Sequence, residues 1–171
     1  MTDTPPRERI VSWIEIQADA RTLAERLLAR PPQDAWKGVV AITRGGMVPA
    51  TVVAREMGLR IVDTLSIASY DEQDQGRIRL LKQPDAAVAD KGAGWLLIDD
   101  LVDTGATARA ARKLLPEALF VTLYAKPAAK DLADIFIHEV AQDVWVHFPW
   151  DTEDRNGALA YAPPMAGREA S

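Results

Sequence analysis

The feature that most constrains this chain is an alternation. Short apolar, β-branched runs are separated by segments of helical periodicity. The runs are "GVVAI" at 38–42, "IVDTLSIAS" at 61–69, "WLLID" at 95–99, "LFVTLYAK" at 119–126 and "DVWVHFPW" at 143–150. Between them lie "MVPATVVAREMG", which ends on a glycine stop at Gly58, and "ATARAARKLLPEA". A further segment, "SWIEIQADARTLAERLLAR", comes first. In it Ile16, Ala20, Leu23, Leu27 and Leu28 recur at helical spacing, Ser12 and Glu15 form a capping-box pattern, and Pro31-Pro32 ends the run. Strands that alternate with helices predict an α/β fold with a mostly parallel twisted sheet flanked by helices and joined by right-handed crossovers. Ligands of such sheets bind beyond the carboxyl ends of the strands.

With 171 residues the chain is expected to form one domain, 1–171. No cysteine is present, which removes disulfides and thiolate metal sites. A formal net charge of -5 argues against nucleic acid as a partner, though not against one small phosphorylated ligand. The start "MTDTPPRERI" has no apolar core of signal-peptide length, and no run reaches the length of a membrane span. Residues 1–8 and 163–171 read as ragged termini. Residues 70–94, polar and rich in glycine, read as one long functional loop, with "PDAAVADKGAG" as a surface insertion.

The chemistry concentrates in "WLLIDDLVDTGAT". Asp99 and Asp100 stand where a buried strand ends, and adjacent carboxylates there can accept vicinal hydroxyls or hold a hard divalent cation. "DTGAT" then opens a helix. The amides from Thr104 to Thr107, with two hydroxyls and the helix dipole, make a nest for an anion, and Gly105 lets the backbone approach it closely. Hydroxyl acceptors next to a phosphate cradle match a ribose 5-phosphate. A lone pair of aspartates would be a solvated loop; the full order D-D-x-x-D-T-G-x-T behind four apolar residues is far more specific.

This pattern resembles the 5-phosphoribosyl-1-pyrophosphate (PRPP) signature of type I purine phosphoribosyltransferases. "AITRGGMVPATVVAREMG", "VDTLSIASYD", "FVTLYAKPA" and "QDVWVHFPWD" resemble the bacterial xanthine–guanine branch of that family, in the right order and across nearly the whole chain. The resemblance implies the type I fold, with a lid loop at about 69–93, a base-binding segment at about 143–164 and a small hood formed by the chain ends. It implies that PRPP meets Arg44, Gly45, Asp99, Asp100, Leu101, Val102, Asp103, Thr104, Gly105, Ala106 and Thr107. It makes Asp100 the contact for Mg²⁺, the implied cofactor, and Asp103 the catalytic carboxylate facing the purine N7. The purine would meet Asp103, Lys126, Trp145 and Val146, with Trp150 and Asp151 bordering the pocket. Ser69, Tyr70, Gly76 and Arg77 fall in the lid, where Arg77, Arg79 and Lys82 are candidates to meet pyrophosphate. In relatives the peptide at Arg44-Gly45 is often cis. The two histidines, His138 and His147, read as structural.

The implied reaction is Mg²⁺-dependent transfer of ribosyl 5-phosphate from PRPP to N9 of guanine or xanthine, and more weakly of hypoxanthine, in purine salvage. The implied setting is the cytoplasm, where relatives can associate peripherally with the inner face of the membrane. The implied assembly is a homotetramer or dimer. Two alternatives stand beside this reading. One is a phosphoribosyltransferase for another base, hypoxanthine alone or a pyrimidine. The other is a non-catalytic PRPP-sensing regulator, disfavoured by the acidic balance and the apparently complete base pocket.

Overall fold

The computed structural model describes residues 7–30, 35–69 and 78–151. Its centre is a six-stranded sheet of β2 (Gly38–Thr43), β3 (Val62–Ser69), β4 (Ile78–Lys82), β5 (Trp95–Val102), β6 (Leu119–Ala125) and β7 (Ile135–Glu139). The order is β4-β3-β2-β5-β6-β7, and all pairs are parallel except β3 with β4. A separate two-stranded parallel sheet joins β1 (Glu8–Ile10) to β8 (Trp145–His147), which matches the hood expected from the chain ends.

The alternation of strand side chains explains the layers. Val39, Ala41, Leu96, Ile98, Val121 and Leu123 point to one face and share a core with Ile16, Ala20, Leu23 and Leu27 of α1 (Trp13–Leu28) and with Ala50 and Val53 of α2 (Met47–Glu56). Val40, Ile42, Leu97 and Phe120 point to the other face, against Ala108 and Ala111 of α4 (Ala106–Leu114). A sheet covered on both sides reads as continuous apolar runs, as seen here. The capping box forms as expected: Ser12 Oγ accepts from the Glu15 amide at 3.2 Å, and Glu15 accepts from the Ser12 amide at 2.8 Å. Such a cap stabilises a helix start by about 1 kcal/mol. Pro31 and Pro32 lie outside the described residues.

Four expectations need correction. Residues 70–94 are not one loop: β4 and the short helix α3 (Asp85–Ala89) lie within it. "PDAAVADKGAG" is not a surface insertion either, because Ala87 is fully buried in the second core. The Trp95 indole donates to Asp90 at 2.9 Å, and a side chain at Gly92 would run into Ala118. Glu8, counted with a ragged end, is a strand residue paired with Trp145. Finally β7 was not foreseen: "IFIHE" is a half-buried edge strand with only three apolar residues before His138 and Glu139, too short a run to stand out.

The order of the sheet locates the site. From β2 the chain steps to β3 on one side, and from β5 onward it builds on the other side. The carboxyl ends of β2 and β5 therefore border a crevice where the connections diverge, the usual ligand position in open α/β sheets.

Candidate active site

Two turns meet in that crevice. The first, Arg44-Gly45-Gly46, leaves β2 after a cis peptide bond at Thr43-Arg44, one residue before the Arg44-Gly45 bond singled out in the sequence. A Cβ on Gly45 would overlap the Asp100 carboxylate, and one on Gly46 would overlap the Ile98 carbonyl oxygen. Both glycines are therefore demanded by close packing on β5. Gly46 was missed in the sequence, where the second glycine of "RGG" looked like turn material.

The second turn leaves β5. The strand continues three residues past Asp99, so Asp99 and Asp100 lie within its last turnless stretch rather than after it. Asp99 is buried and Asp100 half-buried. Asp99 Oδ1 accepts from the Asp100 amide at 3.0 Å, and Asp100 Oδ1 from the Leu101 amide at 2.7 Å. Burial, and then the charge of Asp100, pushes the Asp99 carboxyl well above the usual carboxylate range. Burial, with the Asp151 charge adding to it, raises Asp100 to about 6, against the pull of hydrogen bonds from Asp99 and Leu101. Among the described residues neither carboxylate has a lysine or arginine ion partner.

Gly105 then takes φ +80 and caps α4 without any side-chain hydrogen bond to the first turn. The opening amides of the helix are left for an anion. A cleft of about 120 Å³ forms here, lined among others by Asp99, Asp103, Thr104, Gly105, Ala106 and Thr107. Leu101 and Val102 line it from the strand. Arg109, one turn into α4, donates to the Thr104 carbonyl at 2.9 Å and holds the loop shut against the helix.

Asp103 faces a second group. Lys126, which follows β6 and is 4% exposed, donates to Asp103 Oδ2 at 2.9 Å. The Lys126 amide donates to the Val102 carbonyl at 2.9 Å, which locks the two loops together. Beyond them β8 carries Trp145, 37% exposed, and Val146, whose side chain is in the core. Trp150 stacks on Phe148, and Asp151 accepts from the Phe148 amide at 2.9 Å. His138 bonds Asp19 at 2.8 Å, away from these groups.

Ser69 closes β3, while Tyr70, Gly76 and Arg77 lie outside the described residues, as do 152–164 of the base-binding segment. Of the candidates for pyrophosphate, Lys82 is engaged within the sheet: its ammonium is tied to Asp63 and to the Thr64 carbonyl and pins β4 to β3. Arg79 remains exposed on β4.

The buried carboxylate pair has a measurable consequence. A carboxyl with a raised folded pKa takes up protons on folding, so its contribution to stability is lost as pH rises between the unfolded value near 4 and the folded value. For Asp100 that window runs from about 4 to about 6. In metal-free buffer Asp100→Asn should flatten the fall in stability across this window and raise stability at pH 7 by on the order of 2 kcal/mol. Denaturant unfolding of both proteins at pH 4, 5, 6 and 7 checks this. Parallel curves would show that the pair is not strained in solution.

The chain is similar to known proteins in sequence and in fold. The phosphoribosyl transferase domain family matches residues 7–155. The chain is 49% identical over 161 residues to a xanthine-guanine phosphoribosyltransferase of Chromohalobacter salexigens, covering 94% of this chain and 91% of that protein. It is 51% identical over 159 residues to one of Nitratidesulfovibrio vulgaris, covering 92% and 90%. In three dimensions it is similar to the crystal structure of a purine phosphoribosyltransferase from Pyrococcus horikoshii, with a TM-score of 0.70, 19% identity, and coverage of 84% of this chain and 94% of that one. With the family model matched over residues 7–155 and these relatives at 49% and 51% identity over nearly the whole chain, the chain belongs to the phosphoribosyltransferase family of glycosyltransferase enzymes.

Proposed function

We propose that the enzyme transfers ribosyl 5-phosphate from PRPP to N9 of guanine or xanthine, and more weakly of hypoxanthine, releasing pyrophosphate and forming GMP, XMP or IMP. The observation that carries this reading is the Lys126–Asp103 pair set beside an uncapped helix start. The loop after β5 thus offers a phosphate cradle and the acceptor Asp103, and the turn after β6 brings the donor Lys126 beside it for a purine edge.

In this mechanism the amides of Thr104, Gly105, Ala106 and Thr107 hold the 5-phosphate, and Asp99 and Asp100 accept from the ribose hydroxyls. Arg44 and Gly45 hold the pyrophosphate. Lys126 donates to the 6-oxo group, which selects oxopurines over adenine. Asp103 accepts the N7 proton as N9 attacks C1 of the ribose, a general-base role worth about 10²–10⁴-fold. Trp145 stacks on the ring, and Trp145 and Val146 present backbone carbonyls to the 2-position. The remaining catalysis is positioning and electrostatics.

Mg²⁺ fits this site. It binds through one or two carboxylates plus substrate oxygens, and two adjacent carboxylates without a cationic partner are such a donor set. Asp100 would hold it, with Asp99 beside it. When bound, it supplies charge neutralisation for the leaving pyrophosphate.

The same reading places the enzyme in purine salvage in the cytoplasm, as a homotetramer or dimer. Among the described residues no helix is long and apolar enough to cross a membrane. The test is pyrophosphate release with PRPP and Mg²⁺, offering guanine, xanthine, hypoxanthine and adenine separately. Turnover of the oxopurines at a kcat/KM at least about 100-fold above adenine is expected from one buried donor matched or mismatched. Turnover of adenine at a comparable rate would overturn the role of Lys126.

A further inference from the structure

We infer that Gln142 is a positioning residue for Asp103: its side-chain amide aims the carboxylate at the purine. This rests on the purine phosphoribosyltransferase reading above. Gln142 lies in the connection between β7 and β8, nearly forty residues from Asp103 in sequence. Its Nε2 donates to Asp103 Oδ1 at 2.8 Å, and its Oε1 accepts from the Ala128 amide at 3.0 Å. Lys126 occupies the other carboxylate oxygen, Oδ2, at 2.9 Å. Both oxygens of Asp103 are therefore held, each from a different loop, and the plane of the carboxylate is set. Each oxygen keeps a further lone pair for a substrate proton.

The chemistry of the partners assigns the amide orientation. A backbone N–H can only donate and an ionised carboxylate can only accept, so Gln142 must present oxygen to Ala128 and nitrogen to Asp103. No other side chain of this length does both: the two oxygens of an ionised glutamate only accept, and the single ammonium of lysine only donates. Asparagine is one methylene short. Ala128 stands two residues after Lys126, so the same amide also ties the lysine-bearing turn to the aspartate-bearing turn. Asp103 is 40% exposed at its side chain and sits in a loop, so packing alone does not hold its torsions. A displacement of about 1 Å in a reacting group can cost on the order of 10²-fold in rate.

A merely structural role predicts something different. An exposed amide bridging two loops would add roughly 1 kcal/mol to stability and loosen the whole pocket when removed. Two base analogues separate these cases. 9-Deazaguanine keeps an N7–H for Asp103, whereas 7-deazaguanine has carbon at that position and offers nothing to it. Inhibition constants against guanine turnover would be measured for both, with kcat, KM and the melting temperature, on the wild type, Gln142→Leu and Gln142→Glu.

If Gln142 acts through Asp103, both variants lose about tenfold in affinity for 9-deazaguanine, the equivalent of one hydrogen bond, and stay within about twofold for 7-deazaguanine. Their kcat with guanine falls more than their KM rises. Gln142→Glu keeps the shape and the bond to Ala128 but cannot donate to Asp103, so it must fail along with Gln142→Leu. Equal losses for both analogues, or wild-type behaviour of Gln142→Glu, would overturn the inference and leave the purine reading intact. A wild type that binds neither analogue and turns over no oxopurine would overturn both.

Discussion

Asp103→Asn should lower kcat with guanine by about 10²–10⁴-fold and change KM for PRPP little. The substitution keeps the shape of the side chain and can still accept from Lys126, but it cannot take a proton from the base. Lys126 is nearly fully buried and, among the described residues, Asp103 is its only ion partner, so the variant also leaves a buried ammonium without a counter-charge. That makes a folding defect an alternative cause of lost activity. A melting curve and the PRPP dissociation constant resolve this, because the phosphate nest and the carboxylate pair are untouched. Activity within about threefold of wild type would remove Asp103 from the chemistry.

Gly45→Ala should weaken PRPP strongly. The new Cβ would fall on the Asp100 carboxylate, so either the turn after β2 or the carboxylate must move. Overpacking of this kind costs about 1–3 kcal/mol, which is roughly 5–200-fold in an equilibrium. The expected result is a rise of about 10–100-fold in KM for PRPP, with kcat/KM for the base falling in step. Gly58→Ala is the control. Gly58 also has a positive φ, +68, but nothing lies within 4 Å of its added methyl, so its effect belongs to backbone strain at the end of α2 and leaves KM unchanged. Equal KM values for Gly45→Ala and wild type would mean that the two turns are not packed together in solution.

Much of this was legible in the residues because the signals are local. The strands β2, β5 and β6 announce themselves as apolar runs, since burial on both faces removes polar residues from them. The cap at Ser12 and the helix start at Gly105 are read from three or four consecutive residues whose backbone demands are specific. The edge strands were not legible. β7 offers only three apolar residues before His138 and Glu139, and β4 follows a stretch without periodicity. The lysine at 82 shows the same limit. In sequence it is one more cation near a lid, and only the pairing of β4 with β3 brings Asp63 to it.

The sequence by itself determined the class of fold, the carboxylate pair, the phosphate nest and the family they resemble, because each depends on neighbours along the chain. Only the tertiary structure decided which distant groups share a site. Gly46 against Ile98, Gln142 against Asp103, and Asp103 against Lys126 are contacts between residues 23 to more than 50 apart, made at the carboxyl ends of neighbouring strands. Such contacts follow from strand order, and strand order is a property of the packed sheet that no short window of residues carries.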